Sequence, residues 1–241
     1  PRNKCVVYAA INKTIMKTED CNRTYKAIYT ESRDEFYMTA IAIDPKNSQI
    51  VYVGGTSGDV LKSVDGGKSW SVSKRFGDEV RQINVHPQDS NQVYVGLTNK
   101  GLNKSADGGA TWYAITPDTV TYEGASKFRA MVYAPATGNS FILATGYGLF
   151  KTINGGDSWE PLKLVTAPGE IKIYGLAVNP KDSNEILYTS ATSQSSTIFS
   201  SKDGGKTWSS KKAPTRRVFL KLIIDPEKPD SYIAAAFALA Q

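Results

Sequence analysis

The side chains with chemistry to offer in this sequence are basic and aromatic. Arg81, Arg129 and Arg216, joined by Lys127, Tyr122 and Tyr174, are of the types that grip a carboxylate, an acidic peptide or an anionic sugar. A guanidinium presents a planar fork of donors, and a tyrosine offers a flat face tipped with a hydroxyl. Metal chemistry lacks its parts: one His and two Cys in 241 residues leave no His/Cys zinc set, so neither a metal nor another cofactor is expected. Cys5 and Cys21 have neither the CxxC spacing nor the basic surroundings of a redox-active pair. Gly54-Gly55 and Gly146-Tyr147-Gly148 read as strand ends and hairpin turns, without the following helix that a phosphate loop needs. The balance of 29 Lys+Arg against 23 Asp+Glu, a net +6, is diffuse; it favours acidic partners and gives no reason to expect nucleic acid. No apolar run reaches the roughly 20 residues that span a bilayer, the longest being Tyr232–Ala240.

The elements that must position these side chains announce themselves by repetition. Ser63-Val-Asp65-Gly-Gly67-Lys-Ser-Trp70 returns as Ser105-Ala-Asp107-Gly-Gly109-Ala-Thr-Trp112, then Thr152-Ile-Asn154-Gly-Gly156-Asp-Ser-Trp159, then Ser201-Lys-Asp203-Gly-Gly205-Lys-Thr-Trp208. A worn copy, Thr18-Glu-Asp20-Cys-Asn22-Arg-Thr-Tyr25, precedes them, with Asn22 in a glycine position; asparagine also tolerates a left-handed backbone. Successive Asp/Asn positions lie 45, 42, 47 and 49 residues apart, the length of one four-stranded blade of a β-propeller. Around each copy runs the same strand grammar. An apolar strand A ends in proline (Met38–Pro45, Val80–Pro87, Phe128–Pro135, Ile173–Pro180, Phe219–Pro226), a polar turn leads to strand B, a short strand C enters the phrase, and strand D starts at the Trp. The sequence is therefore read as all-β: a propeller of four-stranded antiparallel blades, five of them bearing the phrase, plus part of a further blade. The blade repeats are about 5–30 (partial), 37–75, 79–116, 127–163, 171–212 and 217–237 (partial), within a single domain over residues 1–241.

The phrase itself reads as a staple. An Asp in a tight turn accepts hydrogen bonds from the amides just after it, the paired glycines supply positive φ, the hydroxyls satisfy neighbouring backbone groups, and the aromatic packs between blades. All four Trp and eight of the 20 Gly lie in these phrases, leaving none for a Trp-lined sugar platform. Asp20, Asp65, Asp107, Asn154 and Asp203, with Trp70, Trp112, Trp159 and Trp208, are assigned structural roles. Asn154 shows that charge is dispensable at this position. His86 fills a pre-proline slot occupied elsewhere by Asp44, Ala134, Asn179 and Asp225, so it too is read as a turn residue.

These residues resemble the Asp-box (BNR) repeat family of β-propellers, which includes sialidases, xyloglucanases, the sortilin ectodomain and the photosystem II assembly-factor group. The strand A ending in Asp/Asn-Pro, the "VYVG" strand and the "KS.DGG..W" phrase look most like the assembly-factor-like and sortilin-like group. The resemblance implies a propeller fold over nearly the whole chain and, for the assembly-factor group, an arginine-bearing binding face. In such a fold the Asp-boxes and the D–A loops fall at opposite ends of the blades. The D–A loops and the sixth position before each proline (Thr39, Arg81, Arg129, Tyr174, Leu220) vary most between repeats. Arg81, Arg129, Arg216, Lys127, Tyr122 and Tyr174 are therefore expected around one mouth of the channel.

Three functional readings follow. The first is a non-enzymatic binding or assembly scaffold, exported or on the cell surface, that recognises an acidic protein segment or anionic glycan on the D–A face. The second is a sialidase-like glycoside hydrolase, with Arg81, Arg129 and Arg216 as an arginine triad and Tyr122 with Glu123 as a nucleophile pair. Against it, no Arg-Ile-Pro segment precedes the first box and no free Asp stands out as the acid. The third is a structural subunit that self-assembles through an open edge strand such as Ser231–Ala238. Residues 5–30 supply strands B, C and D without an A, and residues 217–237 supply A and B alone, which suggests a fragment or irregular closure. If Val6–Ile11 and Thr14–Thr18 form a hairpin turning at Asn12-Lys13, facing positions sum to 25 and Cys5 lies opposite Asp20, beside Cys21. A Cys5–Cys21 disulfide, and with it an oxidising compartment outside the cell or in the periplasm, is expected.

Overall fold

The computed structural model describes residues 5–134, 138–191, 195–213, 215, 217–225 and 228–237. Every regular element among them is a strand, and no helix is long and apolar enough to cross a membrane. The chain divides into two compact units, ending at Ile115 and beginning at Thr116.

The first unit holds three antiparallel meanders. They are β1 (Val7–Ile11), β2 (Thr14–Thr18) and β3 (Lys26–Thr30); β4 (Met38–Ile43), β5 (Val51–Gly55), β6 (Asp59–Ser63) and β7 (Ser71–Arg75); and β8 (Val80–Val85), β9 (Val93–Leu97), β10 (Gly101–Ser105) and β11 (Tyr113–Ala114). Burial explains their composition. β5 and β9 are apolar without alternation and wholly buried, because they are covered on both faces. By contrast β7 is polar and largely exposed. Tyr8 and Ile15 of the first sheet interleave with Met38, Val51, Val53 and Leu61 of the second. Tyr52 and Val60 of the second do the same with Val80, Ile83, Val85, Val93 and Val95 of the third. Each such side chain, fully buried, contributes about 1.5–3 kcal/mol. The sheets approach so closely that a Cβ on Gly54 would stand 2.3 Å from Cγ1 of Val80.

The second unit repeats the plan with β12 (Phe128–Tyr133), β13 (Phe141–Thr145), β14 (Leu149–Thr152) and β15 (Glu160–Pro161), then β16 (Ile173–Val178), β17 (Ile186–Ala191), β18 (Ser196–Ser201) and β19 (Ser209–Lys212). A two-stranded sheet follows, β20 (Val218–Asp225) with β21 (Lys228–Phe237), so the last strand is longer than the sequence pattern suggests. Ile142, Ala144 and Leu149 pack on Ile173, Leu176 and Val178, and Ala177, Leu187 and Ile198 pack on Phe219, Leu222 and Ile224. Four-stranded meanders stacked face to face are propeller blades. The all-β propeller reading holds, with five sheets carrying the box phrase and β20–β21 forming part of a sixth.

Each box is built as its residues dictate. The Ser63 hydroxyl donates to Asp65 Oδ1 (2.8 Å) and accepts from the Gly67 amide (2.8 Å). Asp65 Oδ1 accepts from the amides of Lys68 (3.0 Å) and Ser69 (2.9 Å), and Oδ2 accepts from the Ser69 hydroxyl (2.6 Å). The same set surrounds Asp107 and Asp203. Gly66 and Gly67 take φ of 73° and 90°, and in the worn box Cys21 and Asn22 take 59° and 69°. Asn154 keeps the pattern with an amide: Oδ1 accepts from Ser158 N (3.0 Å) and Nδ2 donates to Ser158 Oγ (2.9 Å). The hairpin pairs Val7 with Thr18, the expected sum of 25, and Cys5 is disulfide-bonded to Cys21. His86 serves its turn through Nδ1, which accepts from the amides of Gln88 (3.1 Å) and Asp89 (3.0 Å). Asp44 Oδ1 does the same for Lys46 and Asn47.

One fastening was not legible in the phrase. Gly108 O accepts from the Tyr52 hydroxyl (2.8 Å) and the Lys62 ammonium (2.7 Å) of the preceding sheet. Gly66 O accepts likewise from Tyr8 (3.0 Å) and Lys17 (3.2 Å). The box of one blade is thus gripped by strands B and C of the blade before it.

Candidate ligand-binding face

The residues that vary between blades share one backbone device. Every strand A slips register against strand B at the same point: between Met38 and Ala40, Val80 and Gln82, Phe128 and Ala130, Ile173 and Gly175, and Phe219 and Lys221. The extra residue is Thr39, Arg81, Arg129, Tyr174 or Leu220, the column picked out by counting back from the prolines. A bulged residue leaves the ladder and its side chain is re-aimed. The fold therefore presents side chains of four kinds from one repeated backbone position at the D–A end of five sheets.

What each side chain does differs. In the first unit Arg81 is exposed, whereas the Thr39 hydroxyl donates to Val80 O of the next sheet and acts as a tie. In the second unit Arg129 and Tyr174 are half-buried, with the Lys172 ammonium 5.3 Å from the centre of the Tyr174 ring. Lys127, two residues before Arg129, points to solvent while its backbone oxygen accepts from Gly146 N (2.8 Å). Tyr122 sits in the loop ahead of it, edge-on to Tyr147 and to Phe150 with centroids 5.1 Å away in both cases, and so anchors that loop. Arg81 belongs to the first unit, and Tyr122, Lys127, Arg129 and Tyr174 to the second; Arg216 lies outside the described residues.

The D–A end of the first unit also carries a charge network not assembled from the sequence. Glu31 and Asp59 are buried, and Arg33 bridges them, Nη2 to Glu31 Oε2 at 2.8 Å and Nη1 to Asp59 Oδ2 at 2.6 Å. The Arg33 guanidinium lies 4.5 Å from the Phe36 ring centre, and Arg75 Nε approaches Asp59 Oδ1 at 3.7 Å. The Arg33 hydrogen bond, ahead of burial acting the other way, pulls the Glu31 carboxyl down to about 2. Arg33 is held in the loop by both carboxylates, and Arg75 is the more exposed of the two cations that meet Asp59. At this end lies a shallow hollow of about 330 Å³ lined by Arg33, Glu35, Phe36, Thr56 and Ser57. At the same end of the second unit, Tyr147, Leu162, Leu164, Thr166 and Pro168 line a larger one of about 450 Å³. Sequence reasoning did not assemble the Asp59 network or these hollows, because strand C and the loops meet only through sheet pairing.

Solved structures share the fold. A GH74 enzyme of Niastella koreensis superposes with a TM-score of 0.79 at 18% identity, over 97% of this chain and 42% of its own. This chain thus spans less than half of that enzyme's length. YCF48 bound to D1 peptide gives a TM-score of 0.50 at 15% identity, over 97% of this chain and 86% of the other. The extracellular domain of a B. thetaiotaomicron one-component system gives 0.68 at 13%, over 96% and 29%. No curated protein matches in sequence. The model of the Sortilin-Vps10 family, described as sortilin, neurotensin receptor 3, matches residues 100–234, more than half of the chain. With its Asp-boxes and bladed sheets, the chain belongs to the Sortilin-Vps10 family.

Proposed function

We propose that residues 1–241 form one propeller domain that acts as a non-enzymatic binding module and takes an acidic protein segment or anionic glycan on its D–A face. The observation that carries this reading is the bulge column: the backbone is the same in five sheets, while the side chains displayed include Arg81, Arg129 and Tyr174. A scaffold that holds geometry constant and varies the displayed group is suited to recognition. Arg75, Lys127 and Lys172 add positive charge at the same end of their sheets, and the two hollows offer room for side chains of a bound segment. YCF48, which shares the fold, has been seen with a bound peptide. The Cys5–Cys21 disulfide favours a place outside the cell or in the periplasm.

Binding of a fluorescein-labelled poly-glutamate peptide, followed by anisotropy, tests the proposal. Arg129→Glu and Arg81→Glu are each expected to weaken binding about tenfold or more with the β-sheet circular dichroism unchanged, and rising salt to weaken the wild type. Unchanged affinity in both variants rejects the face. Hydrolysis of a fluorogenic sialoside that disappears in Arg129→Ala would replace the binding reading with the enzymatic one.

A further inference from the structure

Asn154 stands in a column otherwise filled by Asp20, Asp65, Asp107 and Asp203, and Gly155 follows it in the only Asn-Gly pair of the sequence. Such a pair carries its own chemistry. The glycine nitrogen can attack the asparagine side-chain carbon, because no Cβ on the glycine obstructs the approach. The new N–Cγ bond closes a cyclic imide, and Nδ2 is expelled as ammonia, taking with it the proton lost from the glycine amide. Water then opens the imide. Attack at the side-chain carbonyl gives aspartate, whereas attack at the main-chain carbonyl gives isoaspartate, whose backbone is longer by a methylene.

In the closed box both reacting groups are engaged elsewhere. The Gly155 amide donates to Asn139 O (2.8 Å), as Gly66 N does to Gln49 O, Gly108 N to Asn91 O and Gly204 N to Asn184 O. Asn154 Oδ1 accepts from the Thr152 hydroxyl (2.8 Å) and the Ser158 amide (3.0 Å), and Nδ2 donates to the Ser158 hydroxyl (2.9 Å). Ring closure requires Gly155 N to give up its acceptor and the Asn154 amide to swing away from Ser158. Asn154 is exposed, so water has access once the turn opens.

The two products meet the box differently. Aspartate reproduces the arrangement at Asp65, where Oδ2 accepts from the Ser69 hydroxyl (2.6 Å). The Ser158 hydroxyl needs only to rotate from acceptor to donor. Isoaspartate instead lengthens the main chain inside the span closed by the bond from Gly156 N to Thr152 Oγ1 (3.0 Å), so that bond and the one from Gly155 N to Asn139 O no longer fit together. We propose that Asn154-Gly155 is a self-modification site gated by local opening of its box. The box recaptures the aspartate product as a further carboxylate staple and excludes the isoaspartate one. Neither step involves the D–A face.

Peptide mass spectrometry of the full chain after incubation at mildly alkaline pH tests it, with isoaspartate separated from aspartate by chromatography. Conversion at residue 154 should be about tenfold slower or more in the native chain than in guanidinium chloride, since only the open turn reacts. Ser158→Ala removes the Nδ2 acceptor at an exposed position. It should speed native conversion about threefold or more, the worth of one hydrogen bond, and leave the rate in guanidinium chloride unchanged. On refolding, chains bearing aspartate should return to the native fraction and chains bearing isoaspartate should not. Asn154→Asp should melt no lower than wild type. Equal native and denatured rates, no conversion in guanidinium chloride, or a native rate indifferent to Ser158→Ala overturns the gating. Isoaspartate that refolds as readily as aspartate, or a lowered melting temperature in Asn154→Asp, overturns the sorting of products.

Discussion

An Asp-box carboxylate works by collecting donors, and that has a measurable consequence at low pH. The Ser69 hydroxyl, then the Ser69 amide, draw Asp65 down to about 2; Thr111 does the same for Asp107, and Asp20 and Asp203 shift in the same direction through Thr24 and Thr207. An unfolded aspartate titrates near 4. The folded carboxyls therefore hold their charge to lower pH than the unfolded ones, and the stability they supply is complete above about pH 4 and is lost as pH falls toward about 2. The melting temperature should drop across that window, and an Asp65→Asn/Asp107→Asn variant should show a shallower drop. An equally steep profile would mean that acid sensitivity resides elsewhere, the Arg33-bound Glu31 being the next group to try. Asn154 shows that an amide can fill the position. At this scale the sequence was readable wherever the partners lie within four residues, as they do in the boxes and in the His86 turn. The grip of Tyr52 and Lys62 on Gly108 left no such trace, because the three come together only when two sheets stack.

Between strands, close approach is the governing fact. Gly54 and its neighbours in β5 lie against the start of β8, where even a methyl group would overlap Val80. Gly54→Ala should cost about 1–3 kcal/mol through overpacking, measured by urea unfolding; an unperturbed midpoint would show that β8 can retreat at no cost. The bulges belong to the same scale. Repetition exposed the variable column from Thr39 to Leu220, yet not its geometry, since a bulge is a relation between two strands and neither spells it alone. The strand A boundaries followed from the prolines, while the extra length of β21 did not, because Lys228–Asp230 carry no apolar pattern.

For the molecule, what the repeat conveyed best was architecture: sheets of four, a first sheet of three and a last of two. What it conveyed least was which side chains share a surface, since Arg81 and Arg129 belong to different compact units. The uneven cover of the sheets has a further consequence. Among the described residues, the apolar clusters of β1–β3 and β20–β21 each join one other sheet and β3 and β21 are largely exposed, whereas β5 and β17 are buried and join a sheet on both faces. Strands with few buried apolar contacts open more readily than strands covered on both faces. Deuterium uptake by backbone amides should accordingly be fastest in β21 and β3, slowest in β5 and β17, and should quicken in β1 and β2 once a reductant opens Cys5–Cys21.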